Sequence, residues 1–328
     1  MDYAEVKTAF TSLFEHKMSD EVMREFLLSM KLDEHTSVNA IAAAAEVMRS
    51  FAISLPISDE LRLNALDIVG TGGDKIGSFN ISSTVALLAA SCGATVAKHG
   101  SRSITSKSGS ADMFESLGVR LDLSLENSAK LLEETGFTFM FAANHHPAMS
   151  FIVPVRKTIP EKTIFNILGP LTNPAGVTKS MLGVFDKAFV PKMLEALELN
   201  GATSAMVVSS AEGMDEISIS DITYASQLRD GVIHEFEIDP QEYGIKKMPL
   251  QAIMGGDAKE NAYILRNIFD NCATDAQRDI VLINTAASLM VDGLARDMQD
   301  GLEMAREALA NARAKKKLKQ IIEVSNKL

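Results

Sequence analysis

The chain has 328 residues, with 32 Lys and Arg against 43 Asp and Glu, and its net charge of −11 argues against a nucleic-acid binder, which needs a basic face. Its 46% apolar and 23% charged residues suit an ordinary globular protein of one large domain or two unequal ones. No apolar run approaches the ~20 residues that span a bilayer, and the acidic, amphipathic opening MDYAEVKTAF resembles neither a signal nor a transit peptide. Cys92 and Cys272 stand in apolar helical contexts without zinc spacing, so buried thiols in a reducing, cytoplasmic setting are expected.

Taken in chain order, the first elements are helices. Residues 3–17 place Val6, Phe10, Leu13 and Phe14 on one face. Ser19 caps a second helix, whose apolar face is expected to hold Val22, Phe26, Leu27 and Met30. An Ala-rich third helix covers 37–52, so residues 1–65 read as a small helical unit without strands. From Leu66 onward the pattern changes. Strand-like runs at 65–69, 94–98, 137–142, 180–185 and 204–210 alternate with helices at 83–92, 109–117, 124–135 and 189–199. Such alternation predicts an α/β fold with a mostly parallel central sheet over 66–328. A hairpin is expected over 222–238, around Arg229-Asp230-Gly231, followed by helices at 258–271, 276–292 and 297–322. There is no internal repeat, and the Lys-rich run 315–319 reads as a solvated helix end.

Four stretches carry chemistry. The first, DIVGTGGDKIGSFNISS at 67–83, runs from an apolar strand through glycines to a helix start. Free backbone N–H groups there suit a phosphate or carboxylate, with Asn80, Ser82 and Ser83 adding side-chain donors. Neither the P-loop nor the dinucleotide pattern is present. The second stretch, residues 98–118, again starts at a strand end, where open parallel sheets bind ligands. It gathers Lys98, His99, Arg102 and Lys107 among serines and glycines, a cradle for a polyanion. The third, residues 144–176, holds His145, His146, Arg156, Lys157 and Lys162 among five prolines expected to break regular structure repeatedly. An arginine such as Arg156 beside apolar residues suits a planar carboxylate. In the fourth, GMDEIS at 213–218, Asp215 and Glu216 follow a strand as oxygen donors of the kind Mg²⁺ accepts, with waters and phosphates completing the shell.

GTGGD, KHGxR with SKSGSAD, HHPAM with VR, FNILGPLTNPAG and GMDE occur in this order and spacing over nearly the whole chain. In them the chain resembles the anthranilate phosphoribosyltransferases. The resemblance implies a small helical domain, 1–65 with part of 155–178 joining it, on a large α/β domain of the nucleoside phosphorylase type. It implies transfer of phosphoribose from 5-phosphoribosyl 1-diphosphate (PRPP) to the amine of anthranilate in tryptophan biosynthesis, with diphosphate released and Mg²⁺, two ions, assisting. PRPP would then face Gly70, Gly73, Asp74, Ser78, Asn80, Ser82, Ser83, Lys98, Ser106 and Ser110. Mg²⁺ would meet Ser82, Asp215 and Glu216. Anthranilate would meet Gly70, His99, Ser101, His146, Arg156 and Pro170, with Arg156 on its carboxylate. No residue is singled out as a catalytic acid or base. The chain departs from the family pattern at Ser101, usually Asn, at Ser78 and Ser83, usually Thr, at Ser150, and at Lys162, usually Arg. A homodimer through the helical domain is implied, without nucleic-acid or membrane partners. The rival readings are a pyrimidine nucleoside phosphorylase-like enzyme, a non-catalytic nucleic-acid-binding relative, and the same chemistry on another aromatic acceptor.

Overall fold

The structure, a computed structural model, describes residues 2–102 and 107–328. The chain opens with helices α1 (Tyr3–Phe14), α2 (Asp20–Ser29), α3 (Val38–Ser50) and α4 (Asp59–Asn64). Each starts on a side chain that accepts a backbone N–H: Asp2, Ser19, Ser37 and Ser58, the residue types that satisfy donors left over at a helix start. The inward face of α2 differs from the expected one. Met23 and Leu27 are buried, whereas Val22 is 50% exposed.

Strand β1 (Ala65–Gly70) leads to α5 (Ile81–Cys92), and β2 (Thr95–Gly100) leads to α6 (Ser110–Leu117) and α7 (Leu125–Thr135). Then come β3 (Phe137–Phe141), α8 (Ala142–His145), α9 (Met149–Arg156), α10 (Phe165–Leu168), β4 (Lys179–Gly183) and α11 (Val190–Leu199). Strands β5 (Ser204–Ser210), β6 (Thr223–Arg229) and β7 (Val232–Ile238) complete the sheet. Helices α12 (Ala258–Phe269), α13 (Asp275–Asp292), α14 (Met298–Ala310) and α15 (Arg313–Ser325) follow. Two expectations fail. Pro154 lies inside α9 instead of breaking it, and the two-turn helix forgoes only one backbone bond there. The single helix expected over 297–322 is two, parted where Ala312 takes φ 54°.

The sheet runs β3-β2-β1-β4-β5-β6-β7. Its first five strands are parallel, and β6 and β7 are antiparallel, so the fold is the expected α/β class. The hairpin turns at Asp230 (φ 53°) and Gly231 (φ 74°), two left-handed residues that match the twist of its strands. One face of the sheet packs with α5, α6 and α12–α15. A second core joins α1–α3, α9 and α10 to α11 and the other face of β4 and β5. The carboxyl ends of β1, β2, β4 and β5 therefore open between a helical layer and the glycine loop. Cys92 is partly buried, but Cys272 is exposed, contrary to the expectation for it; both are free thiols.

Candidate active site

The glycine loop after β1 is held from three sides. Gly255 N donates to the Gly77 carbonyl (2.9 Å), and Ser78 forms an isolated antiparallel bridge with Met254. Asn80 caps no backbone at the head of α5. Its Oδ1 instead accepts from Asn261 Nδ2 (2.8 Å) and Ser108 Oγ (3.2 Å). The loop thus draws on the segment before α12, a partner that carries no local signal in the sequence.

Asp215 and Glu216 enter from the loop after β5. Asp215 Oδ2 accepts from Gly72 N (2.7 Å), and Glu216 Oε1 accepts from Ser82 N (3.0 Å) at the first turn of α5. So two of the donors expected to await a phosphate hold carboxylates instead. The approach is possible because β1 and β4 both end in glycine. A methyl group on Gly70 would overlap the Asp215 carboxylate, and one on Gly183 would overlap the Asp215 carbonyl oxygen. Burial first, and then the charge of Asp74, pushes Asp215 up to about 7. Burial and the Asp215 charge raise Glu216 well above the usual carboxylate range. Two adjacent, partly buried carboxylates held in this way are oxygen donors in need of positive charge. Among the described residues no group of three or more His, Cys, Asp and Glu could hold a metal ion, so a divalent cation here would draw its remaining ligands from water or a bound phosphate.

Lys98 supplies one positive charge from below. It is 2% exposed; its Nζ donates to the Ile68 carbonyl and lies 3.4 Å from Ser82 Oγ. Burial pulls its affinity for the proton down, while Asp67, Glu216 and Asp215 push it back up. Asp67, fully buried in β1, accepts from His99 N (3.2 Å), and burial, opposed by Lys98, raises it to about 6. The sequence signal for Asp67 was a carboxylate inside an apolar strand, and the reading passed over it. Asn173 was missed as well; its Nδ2 donates to the Ala97 carbonyl (2.8 Å), behind His99.

The expected cradle at 98–118 is only partly assembled. Arg102 is committed to Glu115 (2.6 Å) and Asp112 (2.9 Å) and lies over the Phe141 ring. Those carboxylates raise its pKa further and neutralise its charge. Ser110 Oγ donates to the Ser101 carbonyl (3.3 Å), which leaves Ser101 exposed. Ser106 lies outside the described residues. Gly73 is exposed and its carbonyl accepts from Lys162 Nζ (3.1 Å), which also sits 3.2 Å from the centre of the Phe185 ring. Asp74 Oδ1 accepts from Ile76 N (3.2 Å). The Ser83 hydroxyl is buried without a partner.

A drier region adjoins this one. The His99 and His146 rings lie 5.2 Å apart and both are buried. Burial, then the neighbouring imidazoles, drives His99 down to about 3 and His146 to about 4. The Gly169 and Thr172 carbonyls face these rings but outside good hydrogen-bonding geometry, so His99 Nε2 and both nitrogens of His146 remain unpartnered. Pro170, buried in the turn Gly169–Leu171, lies between those two carbonyls in the chain. His145 turns away, its Nδ1 2.7 Å from the Ile53 carbonyl. Arg156 ends α9 with its guanidinium 5.0 Å from the Phe165 ring centre and one long bond, 3.4 Å, to the Phe165 carbonyl. Burial alone lowers it to about 10, so it stays charged at neutral pH with no carboxylate in reach among the described residues.

Residues 62–315 match the glycosyl transferase family, a/b domain. The anthranilate phosphoribosyltransferase of Xanthobacter autotrophicus is 46% identical over 264 residues, 80% of this chain and 76% of that protein. The enzyme of that name from Methanobrevibacter smithii is 45% identical over 261 residues, 80% of this chain and 78% of its own length. Among solved structures, the anthranilate phosphoribosyltransferase of Thermus thermophilus superposes with a TM-score of 0.92 at 35% identity, over 99% of this chain and 96% of that one. The Saccharomyces cerevisiae enzyme, in complex with PRPP and Mg, superposes with a TM-score of 0.88 at 26% identity, over 100% and 94%.

Proposed function

The chain belongs to the glycosyl transferase family and, within it, to the anthranilate phosphoribosyltransferases, and from that premise we propose that it transfers phosphoribose from PRPP to the amine of anthranilate, releasing diphosphate, a step of tryptophan biosynthesis. The observation that carries the reading is the junction at Gly70 and Gly183, which admits the Asp215 loop to the head of α5 beside Lys98. Phosphate groups of PRPP would lie along Gly70, Gly73, Asp74, Ser78, Asn80, Ser82, Ser83 and Ser110. Asp215, Glu216 and Ser82 would hold Mg²⁺, two ions in our reading. When bound, Mg²⁺ would supply positive charge for the departing diphosphate. Lys98 adds a fixed charge at the same end.

Arg156 would take the carboxylate of anthranilate in two-point geometry, with His99, His146, Ser101 and Pro170 along the aromatic ring. Imidazoles held neutral at about 3 and 4 are weak bases, poorly matched to moving protons near neutral pH. They would position the acceptor by shape and hydrogen bonding. An aromatic amine is unprotonated at neutral pH and needs no strong base, so positioning and electrostatics carry the rate.

The division into 1–65 with part of 155–178 and 66–328 is also our proposal. It is supported by α9 and α10 packing with α1–α3. We further propose a homodimer through the helical part, where Val22 leaves apolar surface exposed, and a cytoplasmic location, consistent with two free thiols. No helix among the described residues is long and apolar enough to cross a membrane. The deciding experiment follows anthranilate fluorescence with PRPP and Mg²⁺. Loss of signal that requires all three supports the proposal. Phosphorolysis of a pyrimidine nucleoside without anthranilate turnover overturns it.

A further inference from the structure

A second cleft, of about 570 Å³, opens between the helical layer and the sheet domain. Its lining shares nothing with the glycine loop, the Asp215–Glu216 loop or Arg156. Arg49 reaches it from α3 and Arg62 from α4, and Tyr3, Asn173 and Leu199 contribute further walls. A pocket of this size is in the range that encloses small molecules.

The charges in the cleft are unevenly satisfied. Its one carboxylate, Glu46, is already engaged by Tyr3 Oη (2.7 Å) and Lys7 Nζ (2.9 Å). Arg49 is partly buried; it feels the Glu46 charge, but its hydrogen bond goes to a neutral acceptor, the Asn200 carbonyl (3.0 Å). Among the described residues the one carboxylate paired with Arg62 is Asp59, at 4.0 Å and 92% exposed, while the Arg62 Nε is buried without a partner. Two guanidiniums with spare donors thus face one cavity in a chain of net charge −11. Such forks match carboxylate and phosphate oxygens in two-point geometry. Arg49 comes from α3 and Arg62 from α4, so an anion held by both would bridge the two helices. Asn173 stands in the wall and donates to Ala97, two residues before His99, which connects the cleft to the acceptor side of the candidate active site.

We propose that this cleft is a second, non-catalytic site for a small organic anion, bound through Arg49 and Arg62. The chain contains no tryptophan, so a Leu199→Trp variant, placed where the native side chain is 58% exposed, reports on the cleft alone. Its emission would be followed during titration with citrate, for the carboxylate source, and inorganic phosphate, for the phosphate source. A saturable change with either, weakened about tenfold or more when Arg62→Met is added, is expected. The wild-type protein gives a second measurement. With PRPP and Mg²⁺ saturating, the effective anion should still raise Tm, and Arg62→Met should abolish the rise. No saturable change with either anion up to about 20 mM, a response unaltered by Arg49→Met and Arg62→Met together, or a signal that follows protein concentration instead of anion would overturn the proposal.

Discussion

Replacing Arg156 with methionine keeps an unbranched apolar stem, shorter than the arginine by the end of its guanidinium, and removes the charge. In the fold, burial alone brings this guanidinium from 12.5 to about 10. At 1.36 kcal/mol per unit, keeping it charged and unpaired costs the native state about 3 kcal/mol. Arg156→Met should therefore leave Tm unchanged or raise it, apart from some loss of the contact with the Phe165 ring. The carboxylate of anthranilate is the partner that would recover part of this cost. A charge-assisted hydrogen bond of about 1.5–3 kcal/mol corresponds to a KM for anthranilate about 10- to 150-fold higher in the variant, with the KM for PRPP nearly unchanged. Arg156→Lys should fall between the two, since an ammonium cannot form the two-point pair. The assay is steady-state anthranilate fluorescence at fixed PRPP, paired with a thermal melt. Equal losses for both substrates, or a loss for PRPP alone, would place Arg156 among the phosphate contacts. A large drop in Tm with unchanged kinetics would make it a structural tie to Phe165.

Asp215→Ala with Glu216→Ala should abolish Mg²⁺-dependent turnover while circular dichroism stays native; retained metal dependence would sink the assignment. Gly183→Ala forces a methyl group into the Asp215 carbonyl, so we expect about 1–3 kcal/mol of destabilisation together with lost activity. Gly72→Ala, with open space around it but φ +65°, should cost about 1 kcal/mol; equal effects of the two glycine variants would contradict this. His99 and His146 are held neutral to about 3 and 4 in the fold, against 6.5 unfolded. Below pH 6.5 the unfolded chain therefore binds protons first, and stability should fall as pH drops toward 4. His146→Gln should flatten that slope in denaturant titrations. Light scattering at micromolar concentration should give a dimer, and a monomer would count against the exposed α2 face as an interface.

What could be read from the sequence was whatever neighbours in the chain decide. Strand-to-glycine transitions at Gly70 and Gly100, serine caps, and the Asp230-Gly231 hairpin are local chemistry, and the fold class followed from their alternation. Prolines were over-read as breakers, because Pro154 removes one donor from a helix too short to miss it. Ala312 was under-read, because an alanine carries no mark of a left-handed residue. In the site, Lys98, Asp215 and Glu216 announced themselves by charge at strand ends. Gly183, Asn173 and the segment at 253–256 did not, since their roles arise only when distant segments meet. The positive loop was misjudged for the same reason: Arg102 looked available until α6 brought Asp112 and Glu115 beside it.

The bond between Asn80 and Asn261 spans 181 residues, and that separation has a meaning in time. At a synthesis rate of about 5–20 residues per second, roughly 9–36 seconds pass between the appearance of one asparagine and the other. The strand before the glycine loop and the helix after it can form early, but the loop cannot take its final path until the chain around Met254–Gly255 arrives to brace it. Phosphate-bearing ligands therefore meet no finished site on a nascent chain, and they can assist only the last stage of folding. A ribosome stalled before residue 253 would carry a chain with all five of its parallel strands and a glycine loop still without its brace.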